Sequence, residues 1–216
     1  DATVTSILHK SQEELEMLAR KKVKHLYLGI ESGLDDVLKF MKKDHDLAQA
    51  YQAIDRLHEA GLIYDAHIMT GVAGKGRGME NAEALAQFLN RTNPAHVVNF
   101  SMFLHKEVPL YQDIRQGTFV PADELETIRE EYHLIERIAP EKAGANILYD
   151  GFHDFIHVRV RGHLPGDKEK MLAKLNGIIQ EYEGKEPVYS FVQGECPDLE
   201  YCDDGKAVWD MDRKTS

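Results

Sequence analysis

Apolar residues follow two alternating patterns along the chain. Short dense runs rich in β-branched and aromatic residues alternate with longer stretches in which apolar positions recur every three or four residues. The runs "VKHLYLGI" (23–30), "LIYDAHIMTG" (62–71) and "HVVNFSMFL" (96–104) predict buried strands. Between them lie helical patterns. Ser11 followed by Glu14 is a capping-box pair and predicts a helix from about 12 to 22. "LDDVLKFMKK" sets Val37, Leu38 and Met41 at helical spacing. "DLAQAYQAIDRLHEAG" places Leu47, Ala50, Ile54 and Leu57 on one face, with Gly61 as the stop. "MENAEALAQFLNRTNP" predicts a helix halted before Pro94, and "PLYQDIRQG" and "ADELETIREEYHLIERIAP" predict two more.

Predicted strands begin near 24, 62 and 96, each followed by helix. That alternation indicates βαβ units and a parallel sheet. The expected fold class is α/β, an incomplete (β/α) TIM-like partial barrel, because three or four strands cannot close on themselves. After Ala143 the pattern changes. "ANILYDGFHDFIHVRVRGHLPGDKEKMLAKLNGIIQEYEG" predicts a short strand, a histidine-rich loop, and a helix to about 183 with Asp167 as its N-cap. Residues 184–216 are acidic and irregular. The expected organisation is a barrel portion over 1–143 and a C-terminal α+β extension over 144–216.

Composition narrows the class of protein. Over 216 residues, 43% are hydrophobic and 29% charged, as in ordinary globular proteins. A net charge of −11 argues against general nucleic-acid or membrane-surface binding. No apolar run is long enough to span a bilayer, and no signal peptide is visible. Two cysteines, Cys196 and Cys202, are too few for a disulfide framework, so a cytoplasmic location is expected. The chain opens "DATVTSILHK", without methionine, as if entered mid-fold.

In parallel α/β folds, ligands meet the C-terminal ends of the strands. Glu31 and Ser32, Thr70 and Gly71, and the segment from Ser101 to His105 fall there. The ordered set "GIESG", "DDVLKFMKK", "LHEAG", "AHIMTGVAG" and "VVNFSMFLHKEVPLYQDI" resembles the latter half of a radical S-adenosylmethionine (radical SAM) enzyme. The nearest subgroup is that of oxygen-independent coproporphyrinogen oxidases and elongator-type tRNA catalysts. "RGHLPGDKEKMLAKL" extends the likeness to about residue 180.

This resemblance implies a six-stranded partial barrel. Its first loop carries CxxxCxxC, whose three thiolates hold a 4Fe–4S cluster and leave one iron open. That iron binds S-adenosylmethionine, and reductive cleavage gives a 5′-deoxyadenosyl radical that abstracts hydrogen. The present sequence has no CxxxCxxC. It is therefore expected to be a C-terminal fragment of a radical SAM oxidoreductase, inactive by itself.

The resemblance also assigns cofactor-binding positions, each with a structural alternative. Glu31 would accept hydrogen bonds from the ribose hydroxyls, or cap the following helix. Ser32 is its neighbour, or an N-cap. Lys43 would meet the methionine carboxylate, or finish a helix. His67 would approach the ribose, or sit in the core. Gly71 would let the backbone close on the adenosine, or simply turn a strand end. Ser101, Met102 and Phe103 would line the adenine, or fill the barrel. "GKGRG" (74–78) lacks the phosphate-loop spacing and reads as a flexible loop. His153, His157 and His163 have residue types that suit a metal, but eleven histidines are spread along the chain. No metal site is expected there or at Cys196 and Cys202.

Two further readings stand beside this one. The chain could be a cluster-free (β/α) protein binding a nucleotide or phosphorylated ligand at the same strand ends. It could also be a non-catalytic interaction module docking through its acidic C-terminal region. Self-association through exposed strand edges is expected of an opened barrel.

Overall fold

A computed structural model describes residues 2–192; Cys196, Cys202 and the remaining acidic stretch lie outside the described residues. Five strands form one sheet in sequential order: β1 (His25–Glu31), β2 (Ile63–Thr70), β3 (His96–Ser101), β4 (Ile147–His153) and β5 (Val158–Leu164). The first four are parallel and β5 returns antiparallel to β4. Helices α1 (Val4–Leu8) and α2 (Gln12–Arg20) precede β1. α3 (Asp35–Phe40) and α4 (Leu47–Glu59) link β1 to β2, and α5 (Gly78–Thr92) links β2 to β3. α6 (Leu110–Arg115) and α7 (Glu124–Arg137) lead to β4, and α8 (Lys168–Tyr182) follows β5. Strands taken in order with same-handed crossovers place the helices on one face, as in a barrel wall. The sheet is open, and β4, which lies beyond residue 144, pairs with β3 in the same sheet.

The core lies between the sheet and the helices. Leu28, Ile30, Tyr64, Ala66, Ile68, Val97, Ile147, Tyr149 and Val160 supply the strand side. Ile54, Leu57, Leu85, Phe88, Ile128, Ile135 and Leu175 supply the helix side. Period-2 alternation turns the intervening strand residues to the other face. There Tyr27, His67, Phe100 and Phe152 touch in succession across four strands, with ring centroids 4.9, 5.8 and 5.8 Å apart. Arg159 of β5 closes the row, 4.8 Å over Phe152.

Local chemistry explains most boundaries. Ser11 accepts from the Glu14 amide while the Glu14 carboxylate accepts from the Ser11 amide, the expected capping box. α4 ends at Glu59, and Gly61 follows in the left-handed region with φ 73°. Asp167 precedes α8 but its carboxylate accepts from the His163 amide 2.7 Å away, tying strand to helix rather than capping a helical amide. The expected histidine-rich loop is largely strand: Val160, Gly162 and Leu164 are buried while Arg159, Arg161 and His163 are exposed.

Candidate functional site at the strand ends

β1 ends irregularly. Its register with β2 slips between Gly29 and Glu31, a bulge, and Glu31 takes a left-handed φ of 64°. A bulge re-aims the next side chain, and a non-glycine residue at positive φ carries strain that a folded structure retains at few places. The carboxylate so aimed meets Lys43, with Nζ 3.2 Å from Oε1. Oε2 has no protein partner among the described residues. Each side chain keeps about a quarter of its surface exposed, 24% for Glu31 and 28% for Lys43. His67 lies opposite Gly29 on β2, and its ring nitrogens make no hydrogen bond among the described residues. Burial holds its pKa below the ordinary histidine value, partly offset by the Glu31 charge, so the imidazole is neutral at pH 7.

The β2 end packs tightly against α7. Gly71 has φ 83°, and a Cβ there would stand 2.6 Å from Thr127 Cγ2. The same Cβ would lie 3.5 Å from Met102, whose amide donates to the Thr70 carbonyl at 2.9 Å. Glu31, Lys43 and His67 therefore form one group, and Gly71 and Met102 another on the adjoining strand ends. Phe103 projects beyond β3, 54% exposed.

Ser32 and Ser101 face the other way. Ser32 is fully buried and donates to Asn81 Oδ1 at 2.7 Å, while also accepting from the Leu34 amide. Ser101 donates to Glu124 of α7 at 3.2 Å. Both are struts beneath the rim and offer it no free group.

Under the rim lies a buried polar layer that the sequence reading did not isolate. His153 of β4 is completely buried, with Nδ1 3.0 Å from Glu124 and Nε2 3.0 Å from Glu131. Burial alone would lower its pKa, but the two carboxylates override it and push it up to about 10. His153 is thus an imidazolium between two glutamates. Burial raises Glu124, yet hydrogen bonds and charge from His153 bring it below the ordinary carboxylate value. Tyr149 and Asn99 donate to Glu131 at 2.9 and 3.0 Å, and Ser190 donates to Glu124. Gly151 is required here, because any Cβ would overlap Glu131 Oε1. His153 is on the helix side and His163 is exposed on the opposite face, so the three histidines do not converge. No metal-ligating group of three occurs among the described residues.

The 74–78 loop turns through Gly74 and Gly76, both at positive φ. Arg77 is held by Asp36 at 2.7 Å and Glu80 at 2.8 Å. Beside it a cavity of about 350 Å³ is lined by Phe40, Val72, Lys75 and Phe119.

Comparison with known proteins bears on the fold. The family model described as the radical SAM superfamily matches residues 2–89. A tRNA uridine(34) acetyltransferase of Methanocaldococcus infernus is 25% identical over 119 residues, covering 55% of this chain and 22% of that protein. The solved structure of the archaeal Methanocaldococcus infernus Elp3 with an N-terminal deletion (1–46) aligns with a TM-score of 0.60 and 18% identity. That alignment covers 83% of this chain and 40% of the other, and shows a shared fold. The chain therefore spans about a fifth of the curated relative it matches. No helix among the described residues is long and apolar enough to cross a membrane.

Proposed function

Since residues 2–89 match the family model of the radical SAM superfamily, we propose that the strand-end rim binds the adenosyl part of S-adenosylmethionine within a radical SAM oxidoreductase of the cytoplasm. The observation that carries this reading is the Glu31 carboxylate. It is aimed by a bulge at positive φ, keeps one oxygen unpaired, and stands beside a strand end with no Cβ at Gly71. A carboxylate of this kind accepts from the two vicinal ribose hydroxyls. Lys43 holds the other oxygen and adds a cation for the methionine carboxylate. Neutral His67 packs against the ribose, and Gly71, Met102 and Phe103 give the adenine backbone and apolar contact.

The residues of the chain fit this adenosyl group but not the cluster. Three thiolates are needed, and the sequence contains two cysteines, both in its C-terminal stretch. The cluster ligands are therefore expected from CxxxCxxC residues outside this sequence, and this chain alone is expected to be inactive. When bound to such a cluster, S-adenosylmethionine supplies a hydrogen-abstracting radical.

S-adenosylhomocysteine, titrated calorimetrically into the full chain, tests the site. Glu31→Ala removes hydrogen bonds to a charged acceptor, so affinity should fall about tenfold or more with the melting temperature retained. Unchanged affinity removes Glu31 from the site. A second reading, a phosphorylated ligand at the 74–78 loop, draws on the cavity beside Lys75, whose amine has no partner among the described residues. Binding of adenosine monophosphate that disappears in Lys75→Ala, without binding of S-adenosylhomocysteine, would favour it.

A further inference from the structure

One buried side chain outside the His153 cluster connects the two strand ends from beneath. Glu130, on α7, is 1% exposed. Its Oε2 accepts from the Gly71 amide at 2.8 Å and its Oε1 accepts from Asn81 Nδ2 at 2.7 Å. Asn81, on α5 and fully buried, uses its own Oδ1 to accept from the Ser32 hydroxyl at 2.7 Å and the Gly33 amide at 3.1 Å. The chain of bonds runs from the β2 turn, through a carboxyl and a carboxamide, to the β1 turn. Glu31 is the residue immediately before that turn.

We propose that Glu130 is a positioning residue, which through Asn81 fixes the β1 and β2 turns relative to one another and so sets the aim of Glu31 beside Gly71. This rests on the adenosyl reading above for its ligand, but not for its geometry. The requirement is chemical rather than steric. Both outward contacts of Glu130 come from donors, so both of its terminal atoms must accept. A carboxyl satisfies this in either protonation state, since each oxygen keeps a lone pair. A carboxamide of the same shape does not, because its nitrogen would face a donor. A leucine would fill much of the volume and satisfy neither contact. Burying an ionisable group is costly, and a carboxyl at this position is retained only where both acceptors are used.

The arrangement makes an unusual prediction. Glu130→Gln should leave a donor facing a donor, loosening the turns while conserving volume. Adding Asn81→Asp should repair it. The new carboxamide at position 130 then donates to the new carboxylate at position 81 and still accepts from Gly71. The aspartate still accepts from Ser32 and Gly33. The polarity of one internal bond is reversed and every contact to the turns is restored.

The test uses the full chain, with hydrogen exchange of the Gly33 and Gly71 amides and calorimetry with S-adenosylhomocysteine. Glu130→Gln is expected to speed both amides and weaken binding by about tenfold, the scale of one unsatisfied buried group. The double variant is expected to return both readouts toward the parent. A Gly33 amide that ignores Glu130→Gln overturns the coupling. Faster amides with unchanged affinity overturn the positioning role and leave a structural brace. Should Glu130→Gln fail to fold, the folded double variant becomes the deciding measurement, and weak binding by it overturns the proposal. A parent chain that fails to bind S-adenosylhomocysteine counts against the adenosyl reading, while the amide measurements still decide the coupling.

Discussion

Glu31 and Glu130 are carboxylates with opposite surroundings. Glu31 is partly exposed and paired with Lys43, whereas Glu130 is sealed among α5, α7 and the β2 turn. Burial pushes the Glu130 pKa up to about 8; hydrogen bonds from Asn81 and Gly71 oppose this, and the charge of Glu126 adds to it. In the unfolded chain the ordinary value is 4.5. The folded state thus keeps a proton that the unfolded state has lost between those values. Stability from this group is complete below pH 4.5 and is lost as pH rises through about 8. The melting temperature should therefore fall between about pH 5 and about pH 8.5 more steeply in the parent than in Glu130→Gln, by calorimetry at matched ionic strength. Equal slopes would mean that Glu130 ionises as an exposed carboxylate does. Glu31 could be singled out in the sequence, because an apolar run stops there on a carboxylate between Gly29 and Gly33. Glu130 could not be, because its role depends on a partner 49 residues away in α5.

At the level of elements, the strand–helix alternation was readable because each period is set by burial on one face. β1, β2, β3, α4 and α5 lie close to where apolar spacing puts them. α1 was not, since five residues held by a Thr3–Ser6 capping box are too few to show a period. β5 was obscured by its charged face, Arg159, Arg161 and His163, although Val158, Val160 and Leu164 alternate with it. α7 was placed correctly but its polar layer was not. Glu124 and Glu131 fall in phase with Ile128 and Ile135, so acids on an apolar stripe were the available signal. On β4, His153 is in phase with Ile147 and Tyr149 by the same reasoning. Those acids meet that histidine and join α7 to the sheet. Removing one partner of a buried ionic group strands the others, so His153→Ala should cost about 3–5 kcal/mol in urea denaturation. A loss below about 1 kcal/mol would mean that the carboxylates find other donors or water. The raised His153 pKa has its own signature. Its stabilisation is complete below the ordinary 6.5 and is lost as pH rises through about 10. In the His153→Ala protein, that alkaline decline should be absent.

At the largest scale, the telling feature is an α/β sheet that does not close among the described residues. Its outer strands are β1 and β5. α8 packs against β5 and its neighbour α7. β1 has less cover: along its outer edge Ala2 bridges at Leu28 and donates to the Tyr27 carbonyl at 2.9 Å. Beyond that bridge, no other strand lies along the outer edge of this seven-residue strand among the described residues. Strand edges of this kind recruit other strands, and a charged residue such as Glu31 at one end only partly discourages it. A second copy of this chain is then expected to pair along β1, extending the sheet. Net charge of −11 opposes the approach, so association should strengthen with salt as the repulsion is screened. Sedimentation velocity across micromolar concentrations should show a weight-average mass rising with concentration, more so at high salt. Over the same range, the outward β1 amides should become slower to exchange while the β2-facing ones stay constant. A monomer mass at all concentrations, with outward amides exchanging freely, would mean that the bridge at Ala2 and the flanking charges suffice to protect this edge.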